Sequence, residues 1–375
     1  MRLTAVCHRQ LPHKLFRLLY KNRRSLKPVD FGIPAALKER SVPVYDGLKY
    51  SREKPPVDMS KFFPKDEKVL QAEFAYEVSN SLKLTEGLAQ VQLLTNSLYH
   101  TDMPPSYVEQ FEGTSLSDSE YAWMTKRLEV VKHDSYQVRL PKAWHEKYHW
   151  IAAERPYGAP VERRSRQLSL IFNDFVRLTS AGGPPKPTLN DLTCQYIRPS
   201  DNPYLFHGAA CSGTLSTKAL PLAGDSTATG SLPSMYPAAP EMDLKKTFDY
   251  DPRTIYPILP AGKDYSLHTI YVNHPYEEAR TRVEKSGIAL LQTFAFAAAR
   301  GATAKKPLVL QTIYHDLEHL DLVVIQLNTL QSSSENEADI RNEIWHMNLP
   351  LSEGAGVEKT LNPTAMKWLK VFYAR

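Results

Sequence analysis

The chain has 375 residues, 42% of them hydrophobic and 23% charged, and its 28 prolines outnumber its 16 glycines. That length supports sizeable cores, while the longest nearly apolar run, residues 288–299, is too short for a membrane span. The three cysteines, Cys7, Cys194 and Cys211, are too few and too scattered for a disulfide framework or a cysteine-ligated metal, and they fit a reducing compartment.

The formal charge of +5 is unevenly placed. Residues 1–29 carry Arg2, Arg9, Lys14, Arg17, Lys21, Arg23, Arg24 and Lys27, and no Asp or Glu precedes Asp30. Lys14, Arg17, Lys21 and Arg24 share one helical face and Leu11, Leu15 and Leu18 another. A basic, amphipathic, acid-free start is the pattern of a mitochondrial targeting segment, which points to the matrix. A basic arm or an RNA-binding surface helix is the competing reading. Taking those eight charges from +5 leaves −3 for residues 30–375, so the body is nearly neutral.

Residues 30–65 are punctuated by proline and read as an extended arm. Residues 66–180 read as mainly helical. Val69, Leu70, Phe74 and Val78, then Leu84, Leu88, Val91, Leu94 and Leu98, recur at helical spacing and predict a helix over 66–99. Asp66 and Glu67 suit its start, and Pro104-Pro105 forbids continuation. Further helices are expected over 121–132, 141–154 and 161–178. The stretch T-S-A-G-G-P-P-K-P-T at 179–188 has the composition of a linker.

Residues 181–375 read as an α+β domain. Strands are expected at 193–198 and 204–210, with Ser212-Gly213 as a turn, and residues 221–240 as a loop rich in Pro, Ser, Gly and Thr. A strand at 267–272 precedes a helix at 275–300, with Glu277 and Glu278 in its first turn and Gly301 as its stop. Residues 307–314 and 319–329 read as a hairpin. Leu308, Leu310, Leu322, Val324 and Leu327 make it apolar on more than one face, as in a doubly covered pair. A strand at 344–349 and a helix at 363–373 close the chain. The expected class is α+β: a helical N-terminal half, then a mixed or antiparallel sheet with packed helices in the C-terminal half.

Two stretches suggest chemistry. His145-Glu146-Lys147-Tyr148-His149 reads H-E-x-x-H, in which two histidines one helical turn apart hold zinc and the glutamate acts as base. That would make the chain a mitochondrial zinc metallopeptidase. The extended form needs Gly at 152 and His at 155, where the chain has Ala152 and Arg155. With no third ligand in a familiar signature, the motif reads as an amphipathic helix with Trp144, Tyr148 and Ile151 packed. The second stretch, Tyr314-His315-Asp316-Leu317-Glu318-His319, crowds potential ligands, but its strand-like flanks make it the solvent-exposed tip of a hairpin. No phosphate-binding, dinucleotide-binding or nucleophile-elbow motif occurs, and no cofactor is implied. Arg163, Arg164 and Arg166, with Lys367 and Lys370, are basic patches that could meet rRNA phosphate, although such clusters are commonly solvated surface.

Seven pieces recur in a familiar order. They are Leu84-Thr85-Glu86-Gly87 with Gln90 and Leu94-Thr95; Leu215 to Lys218; Met235-Tyr236-Pro237 with Met242-Asp243-Leu244; Leu267 to Tyr271; Phe294-Ala295-Phe296; Gln326-Leu327-Asn328-Thr329; and Asn342-Glu343-Ile344-Trp345. In order and spacing they resemble the mitochondrial ribosomal large-subunit protein 37 family, which is related to programmed cell death protein 9. The resemblance covers roughly residues 66–375, and neither the H-E-x-x-H region nor the Ser-rich loop at 331–337 belongs to it. It implies a non-enzymatic structural component of the mitochondrial large ribosomal subunit. Its partners would be other large-subunit proteins, including a paralogue of the same family, and mitochondrial rRNA.

Overall fold

A computed structural model describes residues 74–132, 138–139, 157–158, 161–179, 186–200, 203–260, 264–274, 280–304, 307–333, 336–353 and 360–375. All of them belong to one compact unit spanning residues 69–375. The targeting segment, the proline-rich arm, most of the linker, and the helix expected over 141–154 with its H-E-x-x-H motif lie outside the described residues.

The fold is α+β, with six helices among the described residues arranged on a mixed sheet. The sheet runs β2 (Ser97–His100), β11 (Asn342–Pro350), β10 (His319–Leu327), β9 (Leu308–His315), β8 (Ser266–Asn273), β6 (Tyr204–Ser216), β1 (Ala75–Val78) and β7 (Lys245–Thr247). Long β6 also pairs with β5 (Thr188–Arg198), from Arg198↔Tyr204 to Thr188↔Thr214, and two short pairs form sheets of their own, β3 (Val138–Arg139) with β4 (Tyr157–Gly158) and β12 (Ser352–Glu353) with β13 (Thr360–Leu361).

β8 and β9 are parallel, and parallel neighbours need a crossover of a dozen or more residues. The 23-residue helix α5 (Arg282–Ala304) supplies it. Thr281 and Glu284 set its start through a reciprocal cap. The Thr281 N–H donates to Glu284 Oε2 at 2.6 Å, and the Glu284 N–H donates to Thr281 Oγ1 at 3.3 Å. The helix therefore begins seven residues later than its apolar pattern predicts, and Glu277 and Glu278 fall outside the described residues. At the other end Gly301 does not stop it. The helix runs on to Ala304, and a Cβ at Gly301 would come 2.4 Å from Leu327 Cδ2, so close approach to β10 explains that glycine.

The central hairpin is covered on both faces, as its apolar strands predict. Val323, Ile325 and Leu327 of β10 join the core beneath α5 and α1 (Gly87–Thr95). Leu320, Leu322 and Val324 join the opposite core. That second core is roofed by α2 (Pro105–Gly113), α3 (Asp118–Lys132), α4 (Val161–Thr179) and α6 (Pro363–Ala374). α3 starts with a capping box between Ser117 and Glu120. α6 starts with Asn362, whose side chain accepts from the N–H groups of Thr364 and Ala365, followed by Pro363.

Two expectations give way to long-range pairing. The helix predicted over 66–99 is, within the described residues, strand β1, a turn, helix α1 and strand β2. Val78 fits a helical stripe, yet it is buried because β1 lies between β6 and β7, whose partner residues are distant in the chain. Asn96, left-handed at φ 51°, then turns α1 directly into β2. Ser212-Gly213 is likewise no turn but the middle of β6, since Leu192 and Leu267 close over Gly213 from neighbouring strands.

Candidate functional site

The segment 314–319 is not a solvated tip. His315 and Asp316 are buried, because the first turns of α5 bring Arg282 and Lys285 over the hairpin end. Asp316 accepts from Lys285 Nζ at 2.7 Å, Arg282 Nη1 at 3.1 Å, and the N–H groups of His319 and Glu318 at 2.7 and 3.1 Å. Burial alone would raise its pKa, but the lysine and the backbone donors outweigh it and hold the carboxyl at about 2. His315 Nε2 lies 2.6 Å from Ser169 Oγ, whose hydroxyl donates to Asn273 Oδ1, so the imidazole donates as a neutral ring. Burial lowers its pKa to about 4.

This difference has a mutational consequence. His315→Ala removes a buried partner of Ser169 and opens space beside Phe172, and is expected to lower stability by about 1–3 kcal/mol. His319→Ala removes a side chain that is 36% exposed and should change stability by no more than about 0.5 kcal/mol. Urea denaturation of both variants checks the contrast, and equal losses would refute it.

A few residues along β10, Asp321 is fully buried and collects four donors. They are Arg282 Nη2, Ser286 Oγ at 2.9 Å, His346 Nε2 at 2.8 Å and Asn348 Nδ2 at 3.0 Å. His346 Nδ1 then accepts from the Tyr99 hydroxyl at 2.9 Å. Carboxylate, imidazole and hydroxyl in a row is the layout that activates a nucleophile. The electrostatics here oppose that use. Burial, and then Arg282, lower the His346 pKa to about 4, and burial raises that of Tyr99. None of the three lines the clefts described below. The row instead braces β2, β10, β11 and α5 together.

The five basic residues expected at rRNA lie on α4 and α6, helices that pack on each other on one side of the sheet. Arg163, Arg166, Lys367 and Lys370 are engaged within the chain. Arg166 pairs with Asp191 at 2.9 Å, Lys367 lies 4.1 Å over the Phe111 ring, and Lys370 bonds the Ser115 carbonyl and Glu120, both at 2.8 Å. Arg163 is exposed and Arg164 half-buried. Among the described residues, no three His, Cys, Asp or Glu side chains gather as a metal site.

Sequence reading missed one feature. Arg198, at the end of β5, lines two adjoining clefts of about 470 and 520 Å³, both also bordered by Ser332. Tyr76, Ser200, Tyr204, Glu241 and Ser333 complete the polar wall of the first. A lone arginine followed by Pro199-Ser200 carries no pattern that would have singled it out.

No known family model and no curated protein matches this chain. Some of the residues quoted for the resemblance are joined by hydrogen bonds within the chain. Thr85 donates from its N–H and its hydroxyl to the two oxygens of Asp243, at 2.8 and 2.9 Å, across 158 residues of sequence. Gln90 Nε2 reaches the Pro240 carbonyl at 2.8 Å. Asn342 gathers three pieces: its Oδ1 accepts from the N–H groups of Asn328 and Thr329 at 2.8 and 2.9 Å, and its Nδ2 donates to the Thr95 carbonyl at 2.9 Å. Gln326 Oε1 accepts from the N–H groups of Ala223 and Gly224, fastening the long loop to the sheet.

Proposed function

We propose that this chain is a structural component of the mitochondrial large ribosomal subunit, working in the matrix in support of mitochondrial translation. Protein neighbours, including the paralogue of its family, hold it mainly, with additional contact to rRNA. The observation that carries this reading is the convergence at Asn342. The motifs of the family resemblance are there devoted to joining distant segments into one frame, and the same holds for Thr85 with Asp243. The acid-free basic start supports the address, and the net −3 of residues 30–375 supports protein neighbours over rRNA as the main anchor.

Tagged protein in a density gradient of mitochondrial lysate should sediment with the large subunit. A chain anchored by about six to ten phosphate contacts would lose roughly 10³–10⁵ in affinity between about 50 and 200 mM salt. Apolar contacts to protein are much less salt-sensitive, so a salt-wash series should release this protein only at high salt and together with its paralogue. Sedimentation away from the large subunit would end the reading. Early release as a lone chain would end the claim that protein contacts dominate.

A further inference from the structure

The first residues of β8 and β9, the last turns of α5 and the segment after β6 line a pocket of about 220 Å³. Leu220, Leu267, Phe296 and Leu310 make its apolar wall, with exposures of 9, 6, 0 and 3%. Ala219 and Pro307 are exposed and open it to solvent. Protein interiors are packed to crystal-like density, so a hollow of this size against a core is uncommon. Here α5 contributes Ala297 and Ala304, side chains too small to fill it.

Water is a poor occupant of the apolar part. An ordered water needs at least two polar partners, and the side chains of Leu220, Leu267, Phe296 and Leu310 offer it none. Hydrocarbon is favoured there instead, because it leaves bulk water for an apolar surface. An apolar cavity of about 150 Å³ takes up benzene, so by proportion this pocket has room for roughly eight carbons.

Three polar side chains share the wall: Tyr256, Ser266 and Arg300. Burial pushes the Tyr256 phenol up to about 12, so it is a neutral hydroxyl at pH 7. Arg300 is therefore the one charge among the lining residues, and its guanidinium carbon lies 5.4 Å from the centre of the Tyr256 ring. Arg300 is half-buried and engaged with the chain as well, but a guanidinium with five N–H donors serves more than one acceptor. The carbonyl end of α5 brings a partial negative charge, smaller than the full positive charge of Arg300.

We propose that this pocket binds a medium-chain monocarboxylic acid, its alkyl chain against Leu220, Leu267, Phe296 and Leu310 and its carboxylate at Arg300. One cation matches one negative charge. A phosphate would bring a second charge with no second cation on the wall, and an amine would meet Arg300 with a like charge. The site is independent of any place in a ribosome.

The test is titration calorimetry of the full chain at low salt with octanoate, octylamine and acetate. Octanoate should saturate one site, and octylamine and acetate should each bind at least about tenfold more weakly. Arg300→Gln removes the charge and should weaken octanoate binding by about tenfold. Ala219→Trp puts a large ring at the mouth, at an exposed position, and should weaken octanoate at least as much without changing thermal unfolding. If Arg300→Gln fails to fold, Ala219→Trp and the preference for octanoate over octylamine decide. Silence with octanoate, equal binding of octylamine or acetate, many weak sites in place of one, or unchanged affinity in the folded variants overturns the claim.

Discussion

Lowering the pH from 7 to 5 is expected to remove on the order of 7 kcal/mol of stability, a loss comparable to the whole net stability of a typical domain, about 5–15 kcal/mol. Four buried histidines are responsible. Burial lowers the pKa of His268 to about 3, with Lys186 Nζ 2.7 Å from its Nε2 adding to the shift. Burial lowers those of His274, His315 and His346 to about 4. In the unfolded chain each titrates near 6.5. Between that value and about 4 the unfolded state binds a proton that the folded state refuses, so stability falls as pH falls through this window. Each ring then contributes a loss of about 2 kcal/mol by pH 5. Asp316 works in the same direction at lower pH: its folded pKa of about 2 is below the ordinary 3.8, so its contribution is lost only as pH drops through that lower range. Urea denaturation at pH 7 and pH 5 should show the change, with three to four protons, roughly, taken up on unfolding at pH 5. Stability that stays flat across the window would mean these rings are not neutral in the fold.

Those histidines also show where sequence reading is strong and where it fails. The doubly apolar strands β9 and β10 were legible because both alternations of side chains are hydrophobic, a pattern only a covered strand needs. Closing helix α6 and helix α4 were legible for the same local reason. The burial of His315 and Asp316 was not legible, because it depends on Arg282 and Lys285 arriving from a helix about thirty residues away. Nothing at 314–319 announces that meeting, and polar residues between two strands ordinarily mean solvent. Strand β1 failed similarly: four residues are too few to overrule a helical stripe, and its pairing partners lie at 204–206 and 245–247. Arg198 was the hardest to see. Its burial rests on the Leu94 carbonyl and the rings of Phe206 and Phe294, and that is a property of the surroundings rather than of any spacing.

Placing a carboxylate at Val324 should prevent the chain from folding, although the same strand already holds one three residues earlier. Val324 is fully buried, with Gln311 of β9 and Trp345 of β11 as its cross-strand partners, and its side chain packs in the core roofed by α4 and α6. An aspartate there meets a largely apolar core, in which the Gln311 amide is already bonded to Tyr107 and Thr269, and must either stay charged in a poor solvent or bind a proton. Both routes cost several kcal/mol, comparable to the whole stability of a domain. Asp321 escapes that penalty because its side chain points to the opposite face, where Arg282, Ser286, His346 and Asn348 converge on it. Four donors, one of them a guanidinium, replace the water it gave up. The reciprocal change is therefore harmful as well: Asp321→Val should lower stability by about 1–3 kcal/mol, since it leaves Ser286, His346 and Asn348 without their shared acceptor, while Arg282 keeps Asp316. Circular dichroism and urea denaturation of Val324→Asp, Asp321→Val and the conservative Val324→Ile check the argument. Val324→Ile should stay folded within about 1–3 kcal/mol of the parent. A well-folded Val324→Asp with normal stability would show that this face of β10 is reached by water or by donors, contrary to the packing described.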